Sequence, residues 1–303
     1  MIKKVELRKR RDFSENISTV FHIIRTEFKQ FVGAVILIAG PLMLVVAILI
    51  AYLTLNAMNA LAVLDPADES STSLLLSRYV QMILSYIGLW FGYIFIRLVT
   101  WSYLKVYLSV RSAEEITTNM VWEVTKKNLF KTTVASIINL IVILISYFFF
   151  IIPGIVMGVY LSVVVPIMII EEESYGSAFN KSFQYLTNNF WMTLGLTIVI
   201  GLIAYMISVA FSVPSIILTF VWQFNSVESI NDGGANSLMG DTFSFLFLVS
   251  NIIATLARLM TFCIPGLSIG IHYYNLKEQR DSTGLMDQIA QMGQNIIVED
   301  ETY

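Results

Sequence analysis

Long apolar runs bounded by charged residues constrain this chain more than any other feature of its sequence. A helix needs about 20 mostly apolar residues to cross the hydrocarbon core of a membrane. Six runs approach or exceed that length: residues 31–55, 79–104, 131–152, 155–170, 191–213 and 243–273. The sequence therefore predicts an all-α, polytopic membrane protein with six transmembrane helices.

The composition supports this prediction and excludes several classes of protein. Of the 303 residues, 56% are hydrophobic and only 14% are charged, whereas about 25% are charged in soluble domains. The net charge of -3 gives no reason to expect a nucleic-acid partner. The single cysteine, Cys263, excludes a disulfide or a cysteine zinc site within the chain.

Prolines predict where the apolar runs turn or bend, because proline lacks a backbone donor. Pro153 and Gly154 separate the third and fourth runs, which we expect to form a helical hairpin. We expect Pro214 to end the fifth span, leaving residues 215–224 too short to cross. The sixth span is long enough to bend at Pro265 and Gly266.

The distribution of lysine and arginine predicts the orientation, because basic residues near span ends are retained in the cytoplasm. With both termini inside, sixteen of the nineteen basic residues lie on the cytoplasmic side and one, Arg78, lies outside. The outer loops instead hold the acids Asp65, Asp68, Glu69, Glu228, Asp232 and Asp241. This pattern predicts a multi-pass membrane protein with an uncleaved first span and both termini cytoplasmic.

Amphipathic segments precede the first, third and fifth spans, and we expect each to form a helix in the cytoplasmic interface. The third is the clearest, since Tyr175, Phe179 and Leu186 share one helical face while Lys181 is turned away. The predicted organisation is a basic cytoplasmic arm and amphipathic helix in residues 1–30, a six-helix membrane domain in 31–273 and a cytoplasmic tail in 274–303.

The second and third amphipathic segments, each taken with the span that follows it, also align at an offset of 61 residues. The offset pairs Asn128 with Asn189, Phe130 with Trp191 and Pro153 with Pro214. We read this as a possible architectural repeat, although similar apolar composition produces some of the matches.

Two stretches of the chain resemble a bacterial family of six-span proteins. The first comprises Pro153-Gly154-Ile155, Glu171-Glu172, Ala178, Lys181-Ser182, Leu186, Asn188 and Phe190-Trp191, and the second comprises Tyr273-Tyr274-Asn275-Leu276-Lys277 with Arg280. The family includes the membrane domain of some glycerophosphodiester phosphodiesterases, together with stand-alone proteins. The resemblance covers roughly residues 31–285 and implies the six-span fold and a location in a bacterial inner membrane.

Two departures from the family pattern affect what the resemblance implies. The family usually has Arg at the position of Lys181 and Asp at that of Asn275, and these departures weaken the case for a fixed ion pair between the two positions. The phosphodiesterase would also need a further barrel of about 250 residues, for which this chain has no segment. The resemblance therefore implies a stand-alone, non-enzymatic member.

The titratable residues give no catalytic or metal-binding motif. His22 and His272 are the only histidines, and neither has the spacing of a metal site or a catalytic triad. We expect Glu171, Glu172 and Glu173 to be an exposed triplet at the inner end of the fourth span. The sequence thus predicts no catalytic residues, no metal and no cofactor.

Two arginines inside predicted spans are the candidate site residues, because a charge in the bilayer is costly unless it has a partner or reaches water. Arg97 lies roughly 12 Å and Arg258 roughly 22 Å from the inner boundary, at 1.5 Å per residue. Arg258 has three open interpretations: bonding to helix carbonyls and amides such as Asn139 and Asn251, contact with an anion or lipid headgroup, or snorkelling. The candidate anion or lipid contacts are Arg258, Arg97, Asn139 and Asn251.

Three functional hypotheses follow from these residues. The first is a non-enzymatic membrane protein that binds or senses anionic lipid, or scaffolds an envelope partner at its cytoplasmic face. The basic run Arg8–Arg11 would then touch anionic lipid, or would only determine topology. The second is a small-solute transporter or permease, suggested by the prolines and the repeat. The third is a membrane-embedded enzyme that acts on lipid. The sequence offers no nucleophile with a neighbouring general base to support it.

Overall fold

The computed structural model of the protein describes residues 5–62, 70–231 and 241–281. Asp65, Asp68, Glu69 and Asp232 and the tail beyond Asp281 lie outside the described residues. Every regular element within these ranges is helical. The helices are α1 (Phe13–Thr26), α2 (Phe28–Ala62), α3 (Ser70–Ser109), α4 (Thr118–Phe149), α5 (Ile151–Ser162), α6 (Val164–Ile170), α7 (Tyr175–Leu186), α8 (Phe190–Asn231), α9 (Asp241–Thr261) and α10 (Cys263–Asp281), with a 3-10 turn at Ala113–Glu115.

Six helical segments are long and apolar enough to cross a membrane, which confirms the all-α, multi-pass prediction. They are Phe28–Met58, Thr72–Ser109, Thr118–Phe149, Ile151–Ile170, Phe190–Phe224 and Asp241–Asp281. Each contains one of the predicted apolar runs almost entirely. The segments exceed the predicted runs because helices continue into their polar flanks.

The described chain divides into two compact units. Unit 1 comprises residues 5–34, 98–201 and 264–281, and unit 2 comprises residues 35–97 and 202–263 without the undescribed loops. Helices α4 to α7 belong wholly to unit 1, whereas α2, α3 and α8 contribute residues to both units.

Buried aromatic residues form much of the core of unit 1. Tyr103, Tyr107, Tyr273 and Tyr274 are all fully buried. Phe31 packs edge-on against Tyr103, with ring centroids 5.1 Å apart. In unit 2, a separate cluster of buried residues joins Met58, Trp222 and Phe247.

The turn between α4 and α5 lies earlier than predicted. Phe150 adopts an extended conformation and α5 begins at Ile151, so that Pro153 and Gly154 lie inside α5 rather than in the turn. Proline is tolerated here because the first-turn N–H groups of a helix have no intrahelical partner. Gly154 instead permits close approach, since a Cβ there would lie 2.5 Å from the ring of Tyr147.

Pro214 does not end the fifth span, contrary to the prediction. Helix α8 continues from Phe190 to Asn231 with Pro214 inside it. One proline removes one backbone donor, so only the carbonyl oxygen of Ala210 loses its helical partner and the helix can continue. The neighbouring serine hydroxyls bond to other carbonyl groups of the same helix. Ser212 donates to the Ser208 carbonyl oxygen at 2.8 Å, and Ser215 donates to that of Ser212 at 2.9 Å.

The sixth span is interrupted earlier than predicted. Helix α9 ends at Thr261 and α10 begins at Cys263, so Pro265 and Gly266 lie inside α10 and not at the break. The indole nitrogen of Trp101 donates to the Gly266 carbonyl oxygen at 2.9 Å. This bond satisfies a carbonyl group near the break within unit 1.

Helices are present at the three segments predicted to precede odd-numbered spans. Asp12 caps α1 by accepting from the backbone N–H of Glu15 at 2.7 Å. In the second segment, Ser112 caps the 3-10 turn and Thr117 caps the continuous helix α4. Ser174 caps α7.

Candidate functional site

A cavity of about 370 Å³ lies within unit 2 among α2, α3 and α9. Much of its wall is aliphatic and aromatic, but it also contains two guanidinium groups. The lining residues are Ile50, Leu53, Thr54, Ala57, Leu75, Arg78, Tyr79, Gln81, Met82, Ser85, Tyr86, Leu89 and Arg258. An apolar cavity with a few polar groups is the usual form of a small-ligand site.

Arg258 lies on the exposed side of α9 and lines this cavity. Among the residues that the structure describes, none forms a hydrogen bond or an ion pair with its guanidinium group. Hydrogen bonds from Arg258 to carbonyl and amide groups of the bundle, which were one of its three interpretations, are therefore absent among the described residues. Its five N–H donors are left for a ligand or for water.

Arg78 lies in the first part of α3 and lines the same cavity. Within the described ranges its guanidinium group also has no ion pair or hydrogen bond. Arg78 was predicted to be an outer-loop residue and was not among the candidate site residues, because no sequence spacing connects it to Arg258, 180 positions later. The two arginines become one site only through the packing of α2, α3 and α9.

Most of the neutral polar side chains of the cavity form hydrogen bonds with carbonyl oxygens of their own helices. Thr54 donates to the Ile50 carbonyl oxygen at 2.7 Å, and Ser85 donates to that of Gln81 at 2.9 Å. The buried side-chain Oε1 of Gln81 has no hydrogen-bond partner among the described residues. The cavity therefore offers a ligand two cationic groups and one unsatisfied amide oxygen.

Arg97, the second predicted arginine, has a partner one turn away on its own helix. Its guanidinium group donates to the hydroxyl oxygen of Tyr93 and lies 5.0 Å from the centre of that ring. The Tyr93 ring packs edge-on against Phe262, with centroids 5.0 Å apart. These contacts hold Arg97 in a half-buried position of unit 2, and it does not line the cavity.

The two predicted asparagines lie in different units. Asn251 is half-buried on α9 in unit 2. Asn139 belongs to unit 1, where its amide donates to the Leu161 carbonyl oxygen at 3.5 Å and accepts from the Tyr175 hydroxyl at 2.8 Å. Leu161 precedes the break between α5 and α6, so Asn139 compensates for helical hydrogen bonding that is interrupted there.

A network of carboxylates and lysines in unit 1 was missed by the sequence reasoning. Glu171 was expected to be exposed, but only 10% of its side chain is accessible. Its carboxylate accepts from Lys181 at 2.6 Å, from the Tyr273 hydroxyl at 2.5 Å and from Lys277 at 3.0 Å. Glu171 thus joins α6, α7 and α10.

The other two glutamates of the triplet bind different lysines. Glu172 is paired with Lys105 of α3 at 2.7 Å and with Lys127 of α4 at 2.9 Å. Glu173 is paired with Lys181 at 2.7 Å. Lys181 therefore forms ion pairs with Glu171 and Glu173, whereas Asn275 binds the backbone of Arg11.

The pKa of each glutamate reflects these contacts. Burial disfavours ionisation of Glu171, but hydrogen bonds from Lys181, Tyr273 and Lys277 outweigh burial and lower its pKa to about 2. Hydrogen bonds from Lys105 and Lys127 lower the pKa of the exposed Glu172 to about 2. All three carboxylates are therefore ionised at neutral pH, so none serves as a proton donor there.

The described ranges contain no group of three His, Cys, Asp or Glu side chains placed to hold a metal ion. The predictions that the protein uses no metal or cofactor and is not an enzyme remain predictions. Comparison with protein-family models, with curated proteins and with solved structures finds no match to this chain. The resemblance to the six-span family also remains a prediction.

Proposed function

We propose that this protein is a non-enzymatic, multi-pass protein of a bacterial inner membrane whose unit 2 cavity binds the headgroup of an anionic lipid. The observation that carries the proposal is the pair Arg78 and Arg258, both lining one apolar cavity and both without a protein partner among the described residues. Unpaired guanidinium groups in a membrane-embedded segment need an anion or water.

The chemistry of the cavity suits a phosphate-bearing amphiphile. Arginine binds phosphate oxygens through two parallel N–H donors, and such charge-assisted bonds are stronger than neutral ones. The aliphatic wall formed by residues such as Leu53, Leu75 and Leu89 suits the start of an acyl chain. A lipid headgroup satisfies both features with one molecule.

The orientation follows from the charge distribution in this proposal. Both termini are cytoplasmic, and α1 and α7 lie in the cytoplasmic interface. Exposed Asn180 and Gln184 on α7 support an aqueous side for that helix. A protein partner, if one binds, binds at this cytoplasmic face, and the resemblance to the six-span family supports the same arrangement.

Lipid retention in variants tests the proposed site. The protein is reconstituted in nanodiscs of phosphatidylcholine with a minor fraction of phosphatidylglycerol, and bound phosphatidylglycerol is counted by native mass spectrometry. We expect Arg258→Ala and Arg78→Ala each to weaken retention about tenfold, corresponding to about 1.4 kcal/mol. Arg25→Ala, an exposed arginine of α1, is the control, and equal retention in all three variants would contradict the proposal.

The alternative function, transport or permeation of a small solute, is supported by the same cavity. Two cationic groups also suit a free anion such as inorganic phosphate. Binding of inorganic phosphate is measured in nanodiscs of phosphatidylcholine alone. Phosphatidylglycerol is then added, and the displacement of phosphate shows which ligand the cavity prefers. Saturable phosphate binding that depends on Arg258, without phosphatidylglycerol binding, would favour the solute and overturn the lipid assignment.

A further inference from the structure

The tip of the α4–α5 hairpin exposes a continuous apolar surface. Phe148, Phe149, Phe150, Ile151 and Ile152 follow one another, and each is between 66% and 87% exposed. Fully removing one large apolar side chain from water is favourable by about 1.5–3 kcal/mol. Five such side chains in a row are therefore strongly unfavourable in an aqueous loop.

The sequence around this tip lacks the polar residues of a water-exposed turn. Residues 132–170 contain no Asp, Glu, Lys, Arg or His. Turns that reach water are usually rich in Gly, Asn, Asp and Ser, and the residues 148–152 are Phe and Ile throughout. By contrast, the charged residue Asp241 lies at the start of α9.

The charge-free part of the hairpin is no longer than the hydrocarbon core of a membrane is thick. From Lys131, the last charged residue before the tip, to Phe149, α4 rises about 27 Å at 1.5 Å per residue. The segment Ile151–Ile170 has 20 residues and corresponds to about 30 Å. Because the hydrocarbon core is also about 30 Å thick, a hairpin whose base lies at the membrane surface has no length left to carry its tip into water.

Helix α7 packs beside the part of the hairpin that lies away from the tip. The Tyr160 ring of α5 stacks on Phe183 of α7, with centroids 4.3 Å apart and planes nearly parallel. The polar side chains Asn180 and Gln184 of α7 are exposed, a position that suits the membrane surface better than hydrocarbon. Since Tyr160 lies about 14 Å along the helix from Ile151, the tip lies deeper than α7.

We infer that α4 and α5–α6 form a re-entrant hairpin whose tip, residues 148–152, contacts lipid acyl chains inside the membrane and does not emerge on the outer side. The hairpin enters from the side that carries Lys127 and Glu172, whose ion pair at 2.9 Å fastens its base. Four helical segments then cross the membrane, and both termini still lie on one side. The partner of this surface is the hydrocarbon of the lipid bilayer.

Depth measurement with a spin label tests the inference. Cys263→Ser removes the single native cysteine, and Phe149→Cys places one label at the tip of the full-length protein in phosphatidylcholine and phosphatidylglycerol vesicles. We expect collisions of this label with a water-soluble nickel chelate to be about tenfold less frequent than for a label at Asp241→Cys, because the chelate does not enter hydrocarbon. Oxygen collisions should be correspondingly frequent.

Equal access of the nickel chelate at positions 149 and 241 would overturn the inference and restore a crossing hairpin. Ile152→Cys provides a second tip position if Phe149→Cys does not fold, and the same result is expected there. A membrane-impermeant maleimide added to intact cells gives an independent readout. No labelling at position 149 or 152 supports the inference, and labelling from the outer side contradicts it.

Discussion

The side-chain amide of Asn275 binds both backbone groups of Arg11, 264 positions earlier in the chain. Asn275 Oδ1 accepts from the Arg11 N–H at 2.8 Å, and Asn275 Nδ2 donates to the Arg11 carbonyl oxygen at 3.0 Å. Both residues are buried. This paired contact fastens the basic N-terminal arm to α10, and only an amide side chain can make both bonds.

Asn275→Asp is expected to destabilise unit 1. A carboxylate can accept from the Arg11 N–H but cannot donate, so the buried Arg11 carbonyl oxygen loses its partner at a cost of about 1–3 kcal/mol. Thermal unfolding in detergent measures the effect as a lowered Tm. Asn188→Asp, at an exposed position, is the control, and an equal Tm for both variants would contradict this role of Asn275.

The Arg11 side chain reinforces the same arm. Its guanidinium group donates to the carbonyl oxygens of Leu7 at 2.9 Å, of Lys9 at 3.2 Å and of Glu6. Val5 donates from its backbone N–H to the Tyr107 hydroxyl at 2.9 Å. The basic run Arg8–Arg11 was predicted to touch lipid or to set topology, and the structure gives Arg11 a third role in folding the arm onto unit 1.

Glu171→Gln is expected to destabilise the junction of α6, α7 and α10. The neutral amide cannot form ion pairs with Lys181 and Lys277, which then lose a nearby buried anion. Unfolding in detergent should show a lower Tm than for the wild type. Glu123→Gln, at an exposed position of α4, is the matched control and should leave Tm unchanged.

The pH dependence of stability provides a separate test of Glu171. Its pKa in the folded protein is about 2, below the ordinary value of 4.5, so folding favours the ionised form. The contribution is present above about pH 4.5 and is lost as the pH falls towards 2. The difference in Tm between wild type and Glu171→Gln should shrink over that interval, and a constant difference would contradict the assignment.

Two glycines of α5 provide a matched pair. A Cβ at Gly154 would lie 2.5 Å from the Tyr147 ring, whereas one at Gly158 would meet nothing within 4 Å. Gly154→Ala should therefore lower stability by about 1–3 kcal/mol through overpacking, while Gly158→Ala should be neutral or slightly stabilising. Comparison of the two unfolding midpoints checks this, and Tyr147→Ala should relieve the effect of Gly154→Ala.

Fusions of a topology reporter test the predicted orientation. Reporters placed at Ser71 and Asn236 should be active on the outer side, and those at Thr118 and Thr302 on the cytoplasmic side, because basic residues are retained inside. Alkaline phosphatase and a fluorescent protein give opposite readouts at each position. Activity of phosphatase at Thr118 or Thr302 would reverse the orientation.

The membrane-length helices could be predicted from the sequence because length and apolar content act within one segment. Pro214 misled the prediction, since one missing donor affects a single carbonyl group of a helix that continues on both sides. The turn at Phe150 was displaced for a related reason, because a proline fits the first turn of a helix.

The site residues were harder to predict because their partners are distant in sequence. Arg258 was identified as a costly charge inside a span, but its neighbour Arg78 is brought to the cavity only by packing. Glu171 was expected to be exposed, because nothing in the sequence connects it to Tyr273 and Lys277, more than 100 positions away, which bind its carboxylate.

The most direct test of the lipid-binding proposal is an electron cryomicroscopy map of the full-length protein in phosphatidylglycerol-containing nanodiscs. We expect headgroup density in the α2, α3 and α9 cavity, with a phosphate within hydrogen-bonding distance of both Arg78 and Arg258. The density should disappear in Arg258→Ala. A cavity that holds only water, or an acyl chain with no phosphate near either arginine, would contradict the proposal.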